Sequence, residues 1–89
     1  MIEATWDKGF KRSYKKRIRN SSRLRKSFWE SMEVFLENPF STSLRTHKLS
    51  GKLTGLWAFT VEEDCRIVFE FLGEDRVLLI DVGSHDEVY

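Results

Sequence analysis

The chain has 89 residues, 40% of them hydrophobic and 33% charged, with one Pro, five Gly and a single Cys. Such a composition fills one small core, and it excludes two domains, a disordered chain and a disulfide-stapled fold. A net charge of +1 conceals a split, because residues 1–52 carry 13 Lys/Arg against 5 Asp/Glu while residues 53–89 carry 2 against 9.

In chain order, Ile2 to Trp6 alternates apolar and polar residues as a short strand does. Asp7 then stands where a helix N-cap belongs, and Phe10, Tyr14 and Ile18 recur every four residues on a first helix. Asn20, Ser21 and Ser22 break that helix and cap a second, whose stripe of Leu24, Phe28, Met32, Phe35 and Leu36 runs until Asn38 and Pro39 stop it. Core packing is the expected fate of that stripe. The helix pair holds Lys8, Lys11, Arg12, Lys15, Lys16, Arg17, Arg19, Arg23, Arg25 and Lys26 with no interleaved acid. Such a block attracts polyanions, RNA or DNA phosphate first among them, with anionic lipid or an acidic protein segment as competitors.

After Pro39 a polar stretch, Ser41 to His47, leads through Lys48, Leu49, Gly51 and Gly55 into strand formers. Leu56 to Val61 and Arg66 to Phe71 flank the acidic turn Glu62, Glu63, Asp64 as a hairpin. A simple turn sets Val61 opposite Arg66, so that Arg66 shares a face with Trp57 and Phe59, and Ile67, Phe69 and Phe71 lie on the other. Gly73, Glu74 and Asp75 turn the chain into Val77 to Val82, whose near-continuous apolarity predicts a central strand buried on both faces. Two helices followed by gathered strands predict an α+β fold, the helices on one face of a small, mainly antiparallel sheet and the other face left for function.

The longest aliphatic run, Val77 to Ile80, falls far short of the ~20 apolar residues a membrane span needs, and no signal-like apolar segment opens the chain. A cytoplasmic protein without a membrane partner is expected. His47 and His85 lack Cys or carboxylate neighbours at ligand spacing, and Gly51 with Gly55 is too little for a phosphate loop, so neither a metal nor a cofactor is expected. Cys65 sits beside Glu63 and Asp64, which disfavour a thiolate. There remain Arg66 on the sheet, His85 and Tyr89 after the last strand, and His47 with Lys48 before the hairpin. Cleaving RNA without metal requires a group to take the 2′-hydroxyl proton, a cation over the developing phosphorane charge, and an acid for the 5′-oxygen. Imidazole titrates near neutrality, guanidinium grips two phosphate oxygens, and a tyrosine donates a proton or stacks on a base.

The stretches His47-Lys48-Leu49-Ser50-Gly51, Cys65-Arg66-Ile67-Val68-Phe69-Glu70-Phe71 and Val82-Gly83-Ser84-His85-Asp86-Glu87-Val88-Tyr89 resemble the RelE/YafQ group of bacterial type II toxins over most of the chain. The resemblance implies a ribosome-dependent endonuclease of messenger RNA, held inactive by a cognate antitoxin. It implies that Arg66 stabilises the transition state and that His85 is an acid or phosphate ligand. Tyr89 matches the terminal aromatic, and His47 and Asp64 match further active-site positions. The basic helices, with Lys48 and Trp57, would lie against ribosomal RNA. Thr60 stands where YafQ-like members carry a second histidine, and Asp81 where they carry an arginine, which leaves the base open between His85 in a double role and Tyr89. A poison of DNA gyrase on a related fold, and an RNA- or ribosome-binding module that cuts nothing, are the rival readings.

Overall fold

A computed structural model describes residues 1–84. The chain runs β1 (Glu3–Trp6), α1 (Lys8–Arg17), α2 (Ser22–Glu37), β2 (His47–Lys48), β3 (Trp57–Glu62), β4 (Cys65–Phe71) and β5 (Arg76–Gly83), with short 3-10 turns at Thr42–Leu44 and Gly51–Leu53. The five strands form one sheet in the order β1-β5-β4-β3-β2. Every neighbouring pair is antiparallel except β1 and β5, which run parallel with Ala4 beside Val77 and Trp6 beside Leu79. A mixed α+β sheet with two helices on it is therefore the architecture.

The helix boundaries follow from their caps. Asp7 Oδ2 accepts the Gly9 N–H at 2.9 Å, and Ser21 Oγ accepts the Leu24 N–H at 3.2 Å, each satisfying an orphan donor of a first turn. Asn38 leaves helical geometry while its N–H still reaches the Val34 carbonyl, and Pro39 forbids continuation. Both helices bury their apolar stripe on the same sheet face. Phe10, Ile18, Phe28, Met32 and Phe35 join Phe59, Ile67, Phe69, Val77, Leu79 and Val82 in one cluster. Phe35 is its hinge point, stacked on Phe59 at 4.4 Å and edge-on to Phe69 at 4.9 Å. Among the described residues, no helix is long and apolar enough to cross a membrane.

Two sequence expectations are corrected. Val61 does not face Arg66: a bulge between Thr60 and Glu62 shifts the hairpin by one residue, so Thr60 pairs with Arg66, Phe59 with Ile67 and Trp57 with Phe69. A one-residue slip exchanges the faces of a strand. Trp57 and Phe59 therefore join Ile67 and Phe69 on the helix side, and Arg66 projects from the opposite side. β4, rather than Val77 to Val82, takes the central place, and β5 is buried at Val77, Leu79 and Val82 but only half-buried at Leu78 and Ile80. Gly51 and Gly55 adopt φ of 65° and 97°, turn conformations that glycine reaches without strain.

Candidate functional site

Cross-strand partners point to the same side of a sheet, so the register assigns the residues of the face away from the helices. One row there is Thr60, Arg66 and Gly83; the next is His47, Ala58 and Val68, while Asp81, the strand partner of Val68, turns its carboxylate to Ser13 of α1. Ala58 and Val68 are buried small apolar residues that floor the second row. Arg66 lies half-buried on the central strand, and its Nη1 donates to the Glu63 carbonyl across the tight turn. It lines a hollow of about 350 Å³ with Ser43, Arg45, Thr60, Glu62 and Glu63. The Glu62 carboxylate in that hollow is turned to other partners, since Oε1 meets Arg23 and Oε2 accepts from Ser27 Oγ at 2.7 Å.

His47 sits on the two-residue edge strand β2, exposed above a hollow of about 270 Å³ lined by Lys48, Leu49, Ser50 and Leu53. Its Nδ1 lies 2.9 Å from the Arg45 carbonyl oxygen. A carbonyl only accepts, so Nδ1 carries the proton, and in the neutral ring Nε2 holds the lone pair. The fold thus selects the tautomer of the ring. Arg45 achieves this with a left-handed backbone, φ 52° and ψ 40°, at the end of the turn Thr42–Leu44. Sequence reasoning passed over Arg45, because that conformation is the habit of Gly and Asn and nothing in an isolated arginine announces it.

The remaining expected residues fall into three groups. Asp64 occupies the exposed tip of the β3–β4 turn, two residues before Arg66. Lys48 Nζ stands 5.5 Å from the Trp57 ring centroid, and Trp57 packs edge-on against Phe40 at 5.5 Å and Phe71 at 5.3 Å. Trp57 therefore belongs to an aromatic cluster on the far side of the sheet from Arg66. His85 and Tyr89 lie outside the described residues.

Of the ten basic residues from Lys8 to Lys26, nine are exposed and Arg17 is half-buried. The first turn of α2 holds no acid, although the helix dipole favours acids there, and instead carries Arg23 and Arg25. Arg23 pairs with Glu62, and Arg25 Nη1 donates to the Arg19 carbonyl at 2.6 Å. On the α1 side, a polar hollow of about 460 Å³ is lined by Ser13, Lys16, Arg17, Asp81 and Val82. There Asp81 Oδ1 accepts from Ser13 Oγ at 2.6 Å and from the Val82 N–H at 2.8 Å. The β4–β5 bulge, where Val68 pairs with Asp81 and Phe69 with Leu79, adds the residue that re-aims this end of the strand. Cys65 is 2% exposed, and burial foremost pushes its thiol up to about 11, with Glu62 and Asp64 adding to the rise and Arg17 opposing it. It is a packing residue. Among the described residues, no group of three or more His, Cys, Asp or Glu is arranged to hold a metal.

Residues 2–89 match the family profile described as the bacterial toxin of type II toxin–antitoxin systems, YafQ. No curated protein matches the chain. Similar folds include a copper-bound mutant toxin from Helicobacter pylori, with a TM-score of 0.79 and 21% identity over 100% of both chains. A YoeB/ParE toxin from Agrobacterium tumefaciens gives 0.78 and 19% identity, covering 94% of this chain and 99% of its own. In the DinJ-YafQ complex of E. coli the matched chain gives 0.71 and 14% identity, covering 100% of this chain and 99% of that one.

Proposed function

The chain belongs to the YafQ family of bacterial toxins of type II toxin–antitoxin systems, and from that premise we propose that it is an endoribonuclease cutting messenger RNA on the ribosome. The observation that carries the reading is the pairing of a tautomer-fixed imidazole with a guanidinium on one sheet face: His47, held through Nδ1 by the Arg45 carbonyl, and Arg66 in the adjoining row. Sheet spacing sets their backbones about 12 Å apart, a span across which both side chains reach one phosphodiester.

In the proposed step, His47 Nε2 takes the proton of the 2′-hydroxyl and the oxygen attacks phosphorus. Arg66 holds the charge that gathers on the non-bridging oxygens. The bond to the 5′-oxygen breaks as that oxygen receives a proton, leaving a 2′,3′-cyclic phosphate and a 5′-hydroxyl. His85 is the proposed acid, a role supported by its position two residues after Gly83, the strand partner of Arg66. Tyr89 is the proposed base-stacking residue, and Asp64, beside the Arg66 turn, an electrostatic neighbour.

The exposed basic helices support ribosomal RNA as the surface on which the protein works. Cations in the first turn of α2 oppose the helix dipole by some tenths of a kcal/mol, a cost that a polyanionic partner offsets. The antitoxin bound to YafQ in the DinJ-YafQ structure supports a cognate protein partner for this chain as well.

Primer extension on a translated message, with and without ribosomes, tests the reading. Wild-type protein should give cuts that require ribosomes, and His47→Gln or Arg66→Ala should slow them by about 10² or more. Intact messages accompanied by chromosome breaks on induction would assign the toxin to DNA gyrase instead, and salt-sensitive ribosome binding without any cut would make it a binding module.

A further inference from the structure

Nothing in the nuclease reading uses Arg45 beyond its carbonyl, yet Arg45 is one of the residues that line the hollow of Arg66. We propose that Arg45 is a second phosphate ligand of the site, receiving with Arg66 one phosphodiester group of the RNA. The inference rests on the nuclease reading and deepens it.

Three observations carry it. The first is convergence: two guanidinium-bearing residues, from the loop before β2 and from the central strand, line one hollow of about 350 Å³ together with the hydroxyl residues Ser43 and Thr60. Two acids, Glu62 and Glu63, line the same hollow. Of these, the Glu62 carboxylate is engaged by Arg23 and Ser27, and the Glu63 carbonyl accepts from Arg66. Beside the exposed acid Glu63, the hollow therefore offers a ligand two guanidinium-bearing residues and two hydroxyl residues, donors suited to a phosphate.

The second observation is conformational. Arg45 is the one non-glycine with a positive φ among the described residues. Glycine would hold that turn without strain, so a residue with a Cβ and a long charged side chain there works against the local backbone preference. Residues that break a local rule in this way concentrate at functional sites. The third is linkage within one residue: the Arg45 carbonyl lies 2.9 Å from His47 Nδ1, and the same residue lines the hollow of Arg66. A single left-handed turn thus sets base and phosphate ligand in mutual register.

Arg45→Gly separates the two roles, because glycine keeps the left-handed turn and the carbonyl and removes only the guanidinium. Single-turnover cleavage of a ribosome-bound message should fall about 10-fold to 100-fold in Arg45→Gly, with Arg45→Lys intermediate and added guanidinium restoring part of the rate. The ring nitrogen resonances of His47 should stay unchanged, and the melting temperature should hold or rise. Arg45→Gly cutting at the wild-type rate would overturn the proposal. A direct readout covers the case in which wild-type protein does not cut at all, which defeats the nuclease reading. An uncleavable RNA oligonucleotide with 2′-deoxy sugars should shift the Arg45 and Arg66 side-chain resonances of the wild-type protein, and absence of a shift at Arg45 would refute its role as a phosphate ligand.

Discussion

Cys65 shows how one residue's chemistry is fixed by its place in the core. It is 2% exposed, and desolvation lifts its thiol from 9.0 to about 11. A group whose folded value is raised stabilises the fold fully below its unfolded value and loses that contribution as pH climbs through the folded one. The native protein should therefore resist thiol alkylation at pH 8, and its melting temperature should decline between pH 9.0 and about 11 more steeply than that of Cys65→Ala, a window accessible to thermal melts. An alkylation rate at pH 8 equal to that of the unfolded chain would contradict the burial. At this scale the sequence was partly legible. Arg66 and His47 announce themselves, because a guanidinium in a strand and an imidazole beside a turn are rare and chemically apt. Arg45 does not, since what distinguishes it is a backbone angle that its side chain does not encode.

Among the elements, the helices were readable to within two residues because each carries its own punctuation. Asp7 and Ser21 open them, and Asn38 with Pro39 closes the second. Ser21→Ala should cost about 1 kcal/mol, the ordinary worth of an N-cap, with the loss read from urea denaturation. A loss near zero would mean that tertiary packing alone sets the start of α2. The hairpin was legible in its existence and not in its register. The bulge at Val61 obeys no local pattern, and it moves Trp57 and Phe59 onto the core side, where Phe35 and Phe71 receive them. The packing of Phe59 on Phe35 of α2 favours this register, and that information resides in a helix more than twenty residues away in the sequence. The edge strand β2 was missed for a related reason: two residues, His47 and Lys48, are too few to show any period.

For the molecule as a whole, charge separation along the chain becomes a basic helical flank, since the acids of the second half are spread over turns and strand ends instead of covering the helices. Of the second-half acids, Glu62 and Asp81 reach across to the helices, at Arg23 with Ser27 and at Ser13. Ribosome affinity should therefore fall steeply with salt, and Lys15→Gln combined with Lys26→Gln should reduce the slope of log affinity against log salt by about 1 to 2. An unchanged slope would remove the helical flank from the contact. The parallel pairing of β1 with β5 carries one more consequence, which concerns synthesis. The opening strand finds its hydrogen-bonding neighbour only once Arg76 to Gly83 has been translated, so the emerging polypeptide presents its basic hairpin and uncovered phenylalanines long before a sheet exists to receive them. Premature stop codons anywhere upstream of Arg76 should thus yield harmless fragments, because the sheet closes only after translation has passed Gly83.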